Sequence, residues 1–243
     1  MIIIILGMHR SGTSTIAGLL HFNKISMGTY QNFWPRPLNQ NPKGFYENFD
    51  FRKINDEMLK NVGYNVKSYN PEIPIPHLTN KFVNKMVKVI KNCNRDYLDW
   101  GWKDPRTCLT IRQWMEVFTN LHLENDLKII FVARKAASVA RSLHKRNQLS
   151  IPNGIEIWKS YTEVAFDFCI NSNLPIHYCS FESLLLNPLI TCNKIFDFLD
   201  RPCDAEIVQK FIDQSISTSG IGEKYAYPKH IEELESNIYS MME

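Results

Sequence analysis

A short loop near the start of the chain carries the residue types of an anion-binding site. In GMHRSGTS, residues 7–14, Gly7 and Gly12 enclose four residues between an apolar run and a predicted helix. Backbone amides of such a loop converge on an anion, and the helix dipole favours negative charge there. Thr13 stands where a nucleotide-triphosphate loop has its lysine, and the positive charge lies upstream at Arg10. We predict an anion site without the usual lysine contact to a γ-phosphate; the alternative is a turn with no ligand.

A second candidate anion site lies at the end of another apolar run. In FVARKAASVARS, residues 131–142, Arg134 ends a predicted buried strand, and Ser142 follows eight residues later on a predicted helix. Ser142, two helical turns along, can offer its hydroxyl to the anion that Arg134 reaches. Alternatively, Arg134 is a strand-end ion-pair partner and Ser142 a neutral helix residue. No role is assigned to the neighbouring charges, which usually form a solvated helix face: Lys135, Arg141, Lys145 and Arg146.

The elements that would position these residues alternate between strands and helices. Apolar runs predict strands at 2–6, 127–134 and 175–181, and a further strand in YLDWGW ends at Lys103. Such alternation implies a parallel sheet with right-handed crossovers and a ligand at the carboxyl ends of its strands. We predict one α/β domain over residues 1–243, with three α/β/α layers around a central parallel sheet. Helices are predicted at 13–22, 51–60, 79–92 and 107–121, behind Arg134, at 154–170, and in ESLLLNP up to Pro188.

Composition and charge exclude several classes of protein. The 243 residues include 28 basic and 25 acidic side chains, a net charge of +3, which is too little for a general nucleic-acid binder. The six cysteines form no CxxC pair, so we expect no zinc site and free thiols in a reducing compartment. MIIIILG is too short to span a membrane and lacks the flank and cleavage site of a signal peptide. We therefore expect a cytoplasmic protein with no membrane span and no nucleic-acid partner.

The two candidate anion sites together resemble those of a known family. HRSGTS, with a basic residue before Ser-Gly-Thr, is similar to the 5′-phosphosulfate loop of the sulfotransferases that use 3′-phosphoadenosine-5′-phosphosulfate (PAPS). Arg134 and Ser142 have the spacing of the family's 3′-phosphate site. Weaker matches are HYCSFESLLLNP, residues 177–188, and STSGIGEK, residues 217–224. These ordered motifs span most of the chain, and the resemblance implies a fold like that of the P-loop NTPases.

The resemblance implies a donor, a product and an acceptor class. The donor would be PAPS and the product adenosine 3′,5′-bisphosphate (PAP), with no metal, and the acceptor would be a hydroxyl-bearing small molecule, glycan or peptide. Thr15 replaces the tryptophan that stacks on adenine in the small-molecule branch, and no substitute is evident. Within 23–76, Trp34, Tyr46 and Tyr69 are candidates to stack on the acceptor, or else cap the core. The resemblance assigns donor binding to His9, Arg10, Ser11, Gly12, Thr13, Ser14, Arg134 and Ser142.

The resemblance implies that Lys103 and Arg10 stabilise the negative charge that develops in the reaction. Family members carry a lysine at the end of this strand, where it helps to neutralise the leaving group, and Arg10 would act on the phosphosulfate. The alternative for Lys103 is a surface ion pair with Asp104 or Glu47. The small-molecule branch has a histidine base two residues after the lysine, and Pro105 excludes that residue here.

Glu47 is the candidate general base. In KGFYENFDF, residues 43–51, it matches by context the glutamate of the tyrosylprotein and bacterial branch, although it comes later in the chain. A carboxylate beside aromatic residues is partly removed from water, which suits a general base. Asp104 and His9 are further candidates for the general base. The alternative for Glu47 is that it is only a glutamate of a loop or of a helix N-terminus, where acidic residues are favoured.

Two other functions stay open at this level. A phosphate-loop kinase needs Mg²⁺, a lysine near the β- and γ-phosphates and an acidic metal ligand. Thr13 argues against it, and no predicted strand ends in an obvious metal-binding aspartate. A catalytically silent module that binds a nucleotide or a sulfated glycan would carry the same loops. A magnesium titration distinguishes the kinase, which depends on Mg²⁺, from the sulfotransferase. Turnover distinguishes either enzyme from the silent module.

Overall fold

Apolar runs form the central sheet, because strands covered by helices on both faces are apolar at nearly every position. The computed structural model describes residues 1–38, 41–212 and 225–242. Within these residues the sheet has four strands, all parallel, in the order β2-β1-β3-β4. The strands are β1 (Ile2–Leu6), β2 (Trp100–Lys103), β3 (Leu127–Ala133) and β4 (Ile176–Ser180).

Helices connect the strands and cover both faces of the sheet. In the first half of the chain they are α1 (Thr13–Phe22), α2 (Phe49–Asn61), α3 (Asn80–Asp96) and α4 (Thr107–Asn120). After β3 come α5 (Ala136–Asn147), α6 (Ile151–Ile170), α7 (Phe181–Leu186), α8 (Pro188–Phe198), α9 (Ala205–Phe211) and α10 (Lys229–Ser240).

Alternate residues of β1 face two separate apolar cores. Ile2, Ile4 and Leu6 pack with residues of α2 to α6 and α10. Ile3 and Ile5 pack on the other face with residues of α1 and of α7 to α9. The predicted α/β class with three layers and a central parallel sheet is therefore confirmed.

Register brings the ends of the strands to one edge of the sheet. Ile5 of β1 pairs with Lys103 of β2, and Leu6 pairs with Phe131 of β3. The segment after β1 therefore starts between the ends of its two neighbouring strands. Because ligands bind at this edge in parallel α/β sheets, the candidate site residues that follow β1, β2 and β3 are expected to meet there.

Helix boundaries differ from the predicted ones where caps decide them. Pro188 was predicted to end a helix, but it begins α8, because proline has no N–H to lose in the first turn. Helix α6 begins at Ile151, before the predicted residue 154, since the Ser150 side chain accepts a hydrogen bond from the amide of Asn153. The STSGIGEK motif at 217–224 lies outside the described residues.

Two further expectations concern cysteines and membranes. All six cysteines are free, and every one except Cys203 is buried; burial raises the pKa of the Cys108 thiol to about 12. Of the helices in the described ranges, none combines the length and the apolar character that crossing a bilayer requires. The cytoplasmic location stays a prediction.

Candidate active site

A cleft of about 360 Å³ opens at the carboxyl edge of the sheet. Its floor is the loop between β1 and α1, and its walls come from the segments after β2 and β3, from the region around Glu47 and from residues 66–69. The glycine loop, the segment that begins at Lys103 and the segment that begins at Arg134 therefore contribute to one cavity. The lining residues that the sequence predicted are His9, Arg10, Gly12, Thr13, Ser14, Glu47, Tyr69, Lys103 and Arg134.

The loop needs its two glycines for close approach. Gly12 has φ +87°, and a Cβ atom added there would lie 2.1 Å from the Phe181 ring. A Cβ at Gly7 would lie 2.6 Å from the carbonyl oxygen of Val132 in β3. Gly12 is also the N-cap of α1, and no side chain caps this helix among the described residues. In the first turn the Thr15 amide donates to the Gly12 carbonyl oxygen at 2.9 Å, and the amides of Thr13 and Ser14, which have no acceptor among the described residues, are left for a ligand or water, as in anion-binding loops.

Arg10 joins the two candidate anion sites. Its Nε donates a hydrogen bond of 2.8 Å to the Ser142 hydroxyl oxygen. Nη1 of Arg134 donates to the carbonyl oxygen of Arg10 over 2.8 Å, and the Arg134 guanidinium lies 4.6 Å from the centre of the Phe181 ring. Arg134 and Ser142 therefore face the glycine loop, and the predicted 5′ and 3′ sites are contiguous.

Arginine side chains of like charge lie close together in the cleft. Burial lowers the pKa of Arg10 to about 10, and the like charges of Arg146 and Arg134 add to this effect. Burial also lowers the pKa of Arg134. Burial thus makes the charged guanidinium groups less stable than they are in water, and a bound anion would offset this cost by interaction with both of them.

Lys103 and Glu47 form a buried ion pair in the cleft. The Lys103 Nζ lies 2.8 Å from Glu47 Oε1, and the side chains are 1% and 8% exposed. The same Nζ donates to Ser14 Oγ at 3.2 Å, and Arg52 Nε lies 3.5 Å from Glu47 Oε2. A pair between Lys103 and Glu47 was the alternative interpretation of the lysine, but the expected surface location was wrong, and the pair sits beside the anion loop.

Asp104 is engaged elsewhere. Arg106 Nη1 donates to Asp104 Oδ1 at 2.7 Å and Asn55 Nδ2 donates to Oδ2 at 2.8 Å. Asp104 is 1% exposed, and the cleft lining includes its neighbours Lys103 and Pro105 but not Asp104. Its contacts are those of a residue that holds α2 and α4 at the end of β2. Glu47 is therefore better placed than Asp104 to meet an acceptor.

His9 lies at the inner wall of the cleft with its ring edge on Tyr161. Their ring centres are 5.6 Å apart, and the buried Nε2 of His9 has no hydrogen-bond partner within the described residues. Burial, followed by the charges of Arg106 and Arg146, lowers the pKa of His9 well below its ordinary value. The imidazole is therefore neutral near pH 7.

Other predicted residues are placed away from the cavity surface. Ser11 is buried, with its amide bonded to the carbonyl of Met8. Ser142 does not line the cleft, but its hydroxyl oxygen accepts a hydrogen bond from Arg10, which does. Of the two roles that the sequence leaves open for Tyr46, stacking on an acceptor or capping the core, the structure has the second: its ring packs in the apolar core, 5.4 Å from that of Phe33. Trp34 is half exposed and is not part of the cleft lining.

The cleft also contains residues that the sequence did not single out. Arg146, for which the sequence indicates only a place on the solvated face of α5, lines the cleft. Its position one turn after Ser142 was the available signal, since residues four apart share a helix face. Lys67 and Phe181 had no such signal, because they come from distant segments.

No cluster of three or more His, Cys, Asp or Glu side chains suited to a metal ion occurs within residues 1–38, 41–212 and 225–242. Metal independence stays a prediction, because a donor can bring its own metal ion.

Comparison with known proteins identifies the fold. No protein-family model matches the chain, and no curated protein matches its sequence. The sulfotransferase domain of the Synechococcus PCC 7002 olefin synthase is similar, with a TM-score of 0.61 and 16% identity over 98% of this chain and 94% of that domain. The sulfotransferase domain from the curacin biosynthetic pathway has a TM-score of 0.53 and 15% identity, over 98% of this chain and 96% of that one. A sulfotransferase from Mycobacterium avium has a TM-score of 0.52 and 13% identity, over 86% of this chain and 66% of that one. The chain has the P-loop-like α/β fold of sulfotransferases.

Proposed function

We propose that this protein is a sulfotransferase that moves a sulfuryl group from PAPS to a hydroxyl acceptor without a metal. The observation that carries the proposal is the contiguity of two anion sites through Arg10, whose side chain bonds Ser142 and whose carbonyl accepts from Arg134. A donor with phosphate groups at both its 3′ and 5′ positions matches two adjacent anion sites. The fold shared with sulfotransferases supports this choice by analogy.

The residues present fit such a donor. The uncapped start of α1 and the cradle at Gly12 suit the phosphosulfate end, with Arg10 as its cation. Arg134 and Ser142 suit the 3′-phosphate, because a guanidinium and a hydroxyl both donate to phosphate oxygens. Thr13 and Ser14 line the same cavity and add hydroxyl donors.

Glu47 and Lys103 divide the chemistry of transfer. The donor supplies the sulfuryl group. Glu47 takes the proton of the acceptor hydroxyl as the acceptor oxygen forms a bond to sulfur and the bond from sulfur to the bridging phosphate oxygen breaks. Lys103 stabilises the negative charge that develops on this bridging oxygen. The products are the sulfated acceptor and PAP, with the proton on Glu47.

Binding measurements test the donor class. We expect calorimetry to show a clear preference of the protein for PAP over ADP and AMP. Arg134→Gln should lower the affinity for PAP by about 10- to 100-fold, since a charge-assisted hydrogen bond contributes about 1.5–3 kcal/mol. Lys145→Gln is the matched control, because this exposed lysine of α5 does not line the cleft.

Two results would contradict the proposal. Equal affinity for PAP, ADP and AMP would favour the kinase, which also predicts that turnover depends on Mg²⁺. Preference for PAP without release of PAP from PAPS, across hydroxyl-bearing acceptors of small-molecule, glycan and peptide type, would favour a silent binding module.

A further inference from the structure

Arg146 is a cation of the cleft wall that no carboxylate neutralises within the described part of the chain. It lies on α5 one turn beyond Ser142. Its Nη2 donates to the Tyr69 hydroxyl at 3.0 Å and its Nε donates to Asn147 Oδ1 at 2.7 Å. By contrast, Arg106 of the same cleft has an Asp104 oxygen at 2.7 Å. Arg146 is thus held by neutral groups and keeps its full charge for a ligand.

The segment opposite Arg146 is built to hold Tyr69 in place. Tyr69 has φ +51°, a conformation that costs a tyrosine free energy and that persists only where the surroundings impose it. The Tyr64 hydroxyl donates to the carbonyl of Asn70 at 3.0 Å, and the Ser160 hydroxyl donates to that of Pro71 at 2.8 Å. These bonds fix the chain on the C-terminal side of Tyr69 to the body of the protein.

Lys67 adds a second cation to this wall. Its amide donates to Asn65 Oδ1 at 3.0 Å, which fixes the backbone, while the side chain is exposed and lines the cleft. Like Arg146, Lys67 forms no ion pair among the described residues. Lys67, Tyr69 and Arg146 therefore present two charges and a hydroxyl to the same cavity.

The proposed donor does not need this wall. Its phosphosulfate end is assigned to Arg10 and Lys103, and its 3′-phosphate to Arg134 and Ser142. Arg146 is nonetheless close enough to the donor site to lower the pKa of Arg10. A second anionic group next to the donor would relieve the repulsion among these cations.

We propose that the wall formed by Lys67, Tyr69 and Arg146 binds an oxyanion of the acceptor, so that the acceptor carries a carboxylate, phosphate or sulfate group besides its reactive hydroxyl. This inference rests on the proposed function, because it takes the donor site as given. A guanidinium supported by a phenol hydroxyl, with an ammonium nearby, is suited to such a group. A neutral phenol or sugar would leave the two cations without a partner.

The test is a calorimetric titration with inorganic phosphate of protein already saturated with PAP. We expect a phosphate site in the wild-type complex and a loss of affinity of about tenfold or more in Arg146→Gln, as for a charge-assisted hydrogen bond. Tyr69→Phe, which removes only a hydroxyl, should weaken phosphate binding less. Lys145→Gln makes the same change of charge one residue away and should leave phosphate binding unchanged. Tyr69→Phe and Lys145→Gln should bind PAP like the wild type, and Arg146→Gln should weaken PAP binding far less than Arg134→Gln.

The possible failures are distinguishable. Failure of the wild type to bind PAP would contradict the proposed function and the inference with it. Normal PAP binding with no phosphate site, or with phosphate binding that Arg146→Gln leaves unchanged, would overturn the inference alone. If Arg146→Gln lowered the affinity for PAP as much as Arg134→Gln does, Arg146 would belong to the donor site. This result would also overturn the inference.

Discussion

Lys103 and Glu47 are 56 residues apart in the chain, yet Lys103 Nζ and Glu47 Oε1 lie 2.8 Å apart in the buried part of the cleft. The lysine also reaches Ser14 Oγ at the start of α1. The proposed base and the proposed cation for the leaving oxygen are therefore held together against the anion loop. Because each neutralises the other, a change at either residue acts on both the chemistry and the stability of the site.

Glu47→Gln should separate catalysis from binding. Glutamine keeps an oxygen that accepts from Lys103 but cannot take up a proton at neutral pH, so turnover should fall by about 10²- to 10⁴-fold, the usual contribution of a general base. Affinity for PAP should be equal or higher, since a negative charge leaves the anion site. Release of PAP with an acceptor that the wild type uses, together with calorimetry, measures both. Retention of most of the turnover would show that another group is the base.

Lys103→Met should strongly destabilise the protein. The variant leaves the Glu47 carboxylate buried, with Arg52 Nε 3.5 Å away, and removal of one partner of a buried ion pair costs about 3–5 kcal/mol. The double variant Glu47→Leu with Lys103→Met should recover much of this loss, because no buried charge remains. The free energy of unfolding in urea measures the effect. A double variant as unstable as Lys103→Met alone would contradict the coupling of the pair.

Ser142→Ala should reduce the preference for PAP over ADP. The serine is the hydroxyl partner of Arg10 Nε and a proposed ligand of the 3′-phosphate, which ADP lacks. Loss of one such hydrogen bond should weaken PAP binding by about five- to tenfold, with ADP much less affected. Ser138→Ala, one turn earlier on α5 and also buried, is the control. An equal effect of both substitutions on PAP would indicate a change in the helix and not in the site.

Gly12→Ala should be far more damaging than Gly63→Ala, although both glycines have positive φ. The angles are +87° and +79°, but a Cβ at Gly12 would lie 2.1 Å from the Phe181 ring, whereas a Cβ at Gly63 meets nothing within 4 Å. Gly63→Ala should cost about 1–2 kcal/mol for the left-handed backbone alone. Gly12→Ala should cost about 1–3 kcal/mol more for overpacking. Thermal or urea unfolding compares them, and equal losses would refute the close packing of the loop.

His9 should make stability fall as the pH falls. Burial and then the charge of Arg106 hold its folded-state pKa well below the ordinary value of 6.5. Below pH 6.5 the unfolded chain therefore binds a proton that the folded protein does not, so the free energy of unfolding decreases, by at most about 1.4 kcal/mol per pH unit. Urea unfolding at pH 5.5 and 7.5 should show a weaker pH dependence in His9→Asn. His77→Asn, at an exposed histidine outside the cleft, is the control, and equal slopes in wild type and His9→Asn would contradict the assignment.

Sequence patterns were sufficient for the four strands, for the helices from α1 to α7 and for the edge of the sheet where the cleft lies, but not for α8, α9 and α10. The isoleucine run of β1 and the apolar run of β3 identify buried strands by local composition alone. The glycine spacing at 7–14 and the position of Arg134 at the end of β3 then predict two candidate anion sites at one edge, because parallel strands share the direction of their ends. Helix boundaries were less predictable at Ser150 and Pro188, where a cap or a first-turn proline decides them.

What the sequence determined by itself was therefore local: an apolar strand before each site motif, a glycine loop before a helix, and cations at strand ends. The tertiary structure alone decided which distant groups meet. In it Lys103 pairs with Glu47 and not with Asp104, Tyr46 packs in the core, and Arg146 lies beside Tyr69 in the cleft. These outcomes depend on the packing of helices on both faces of the sheet, and such contacts between segments far apart in the chain leave no periodic pattern in the sequence.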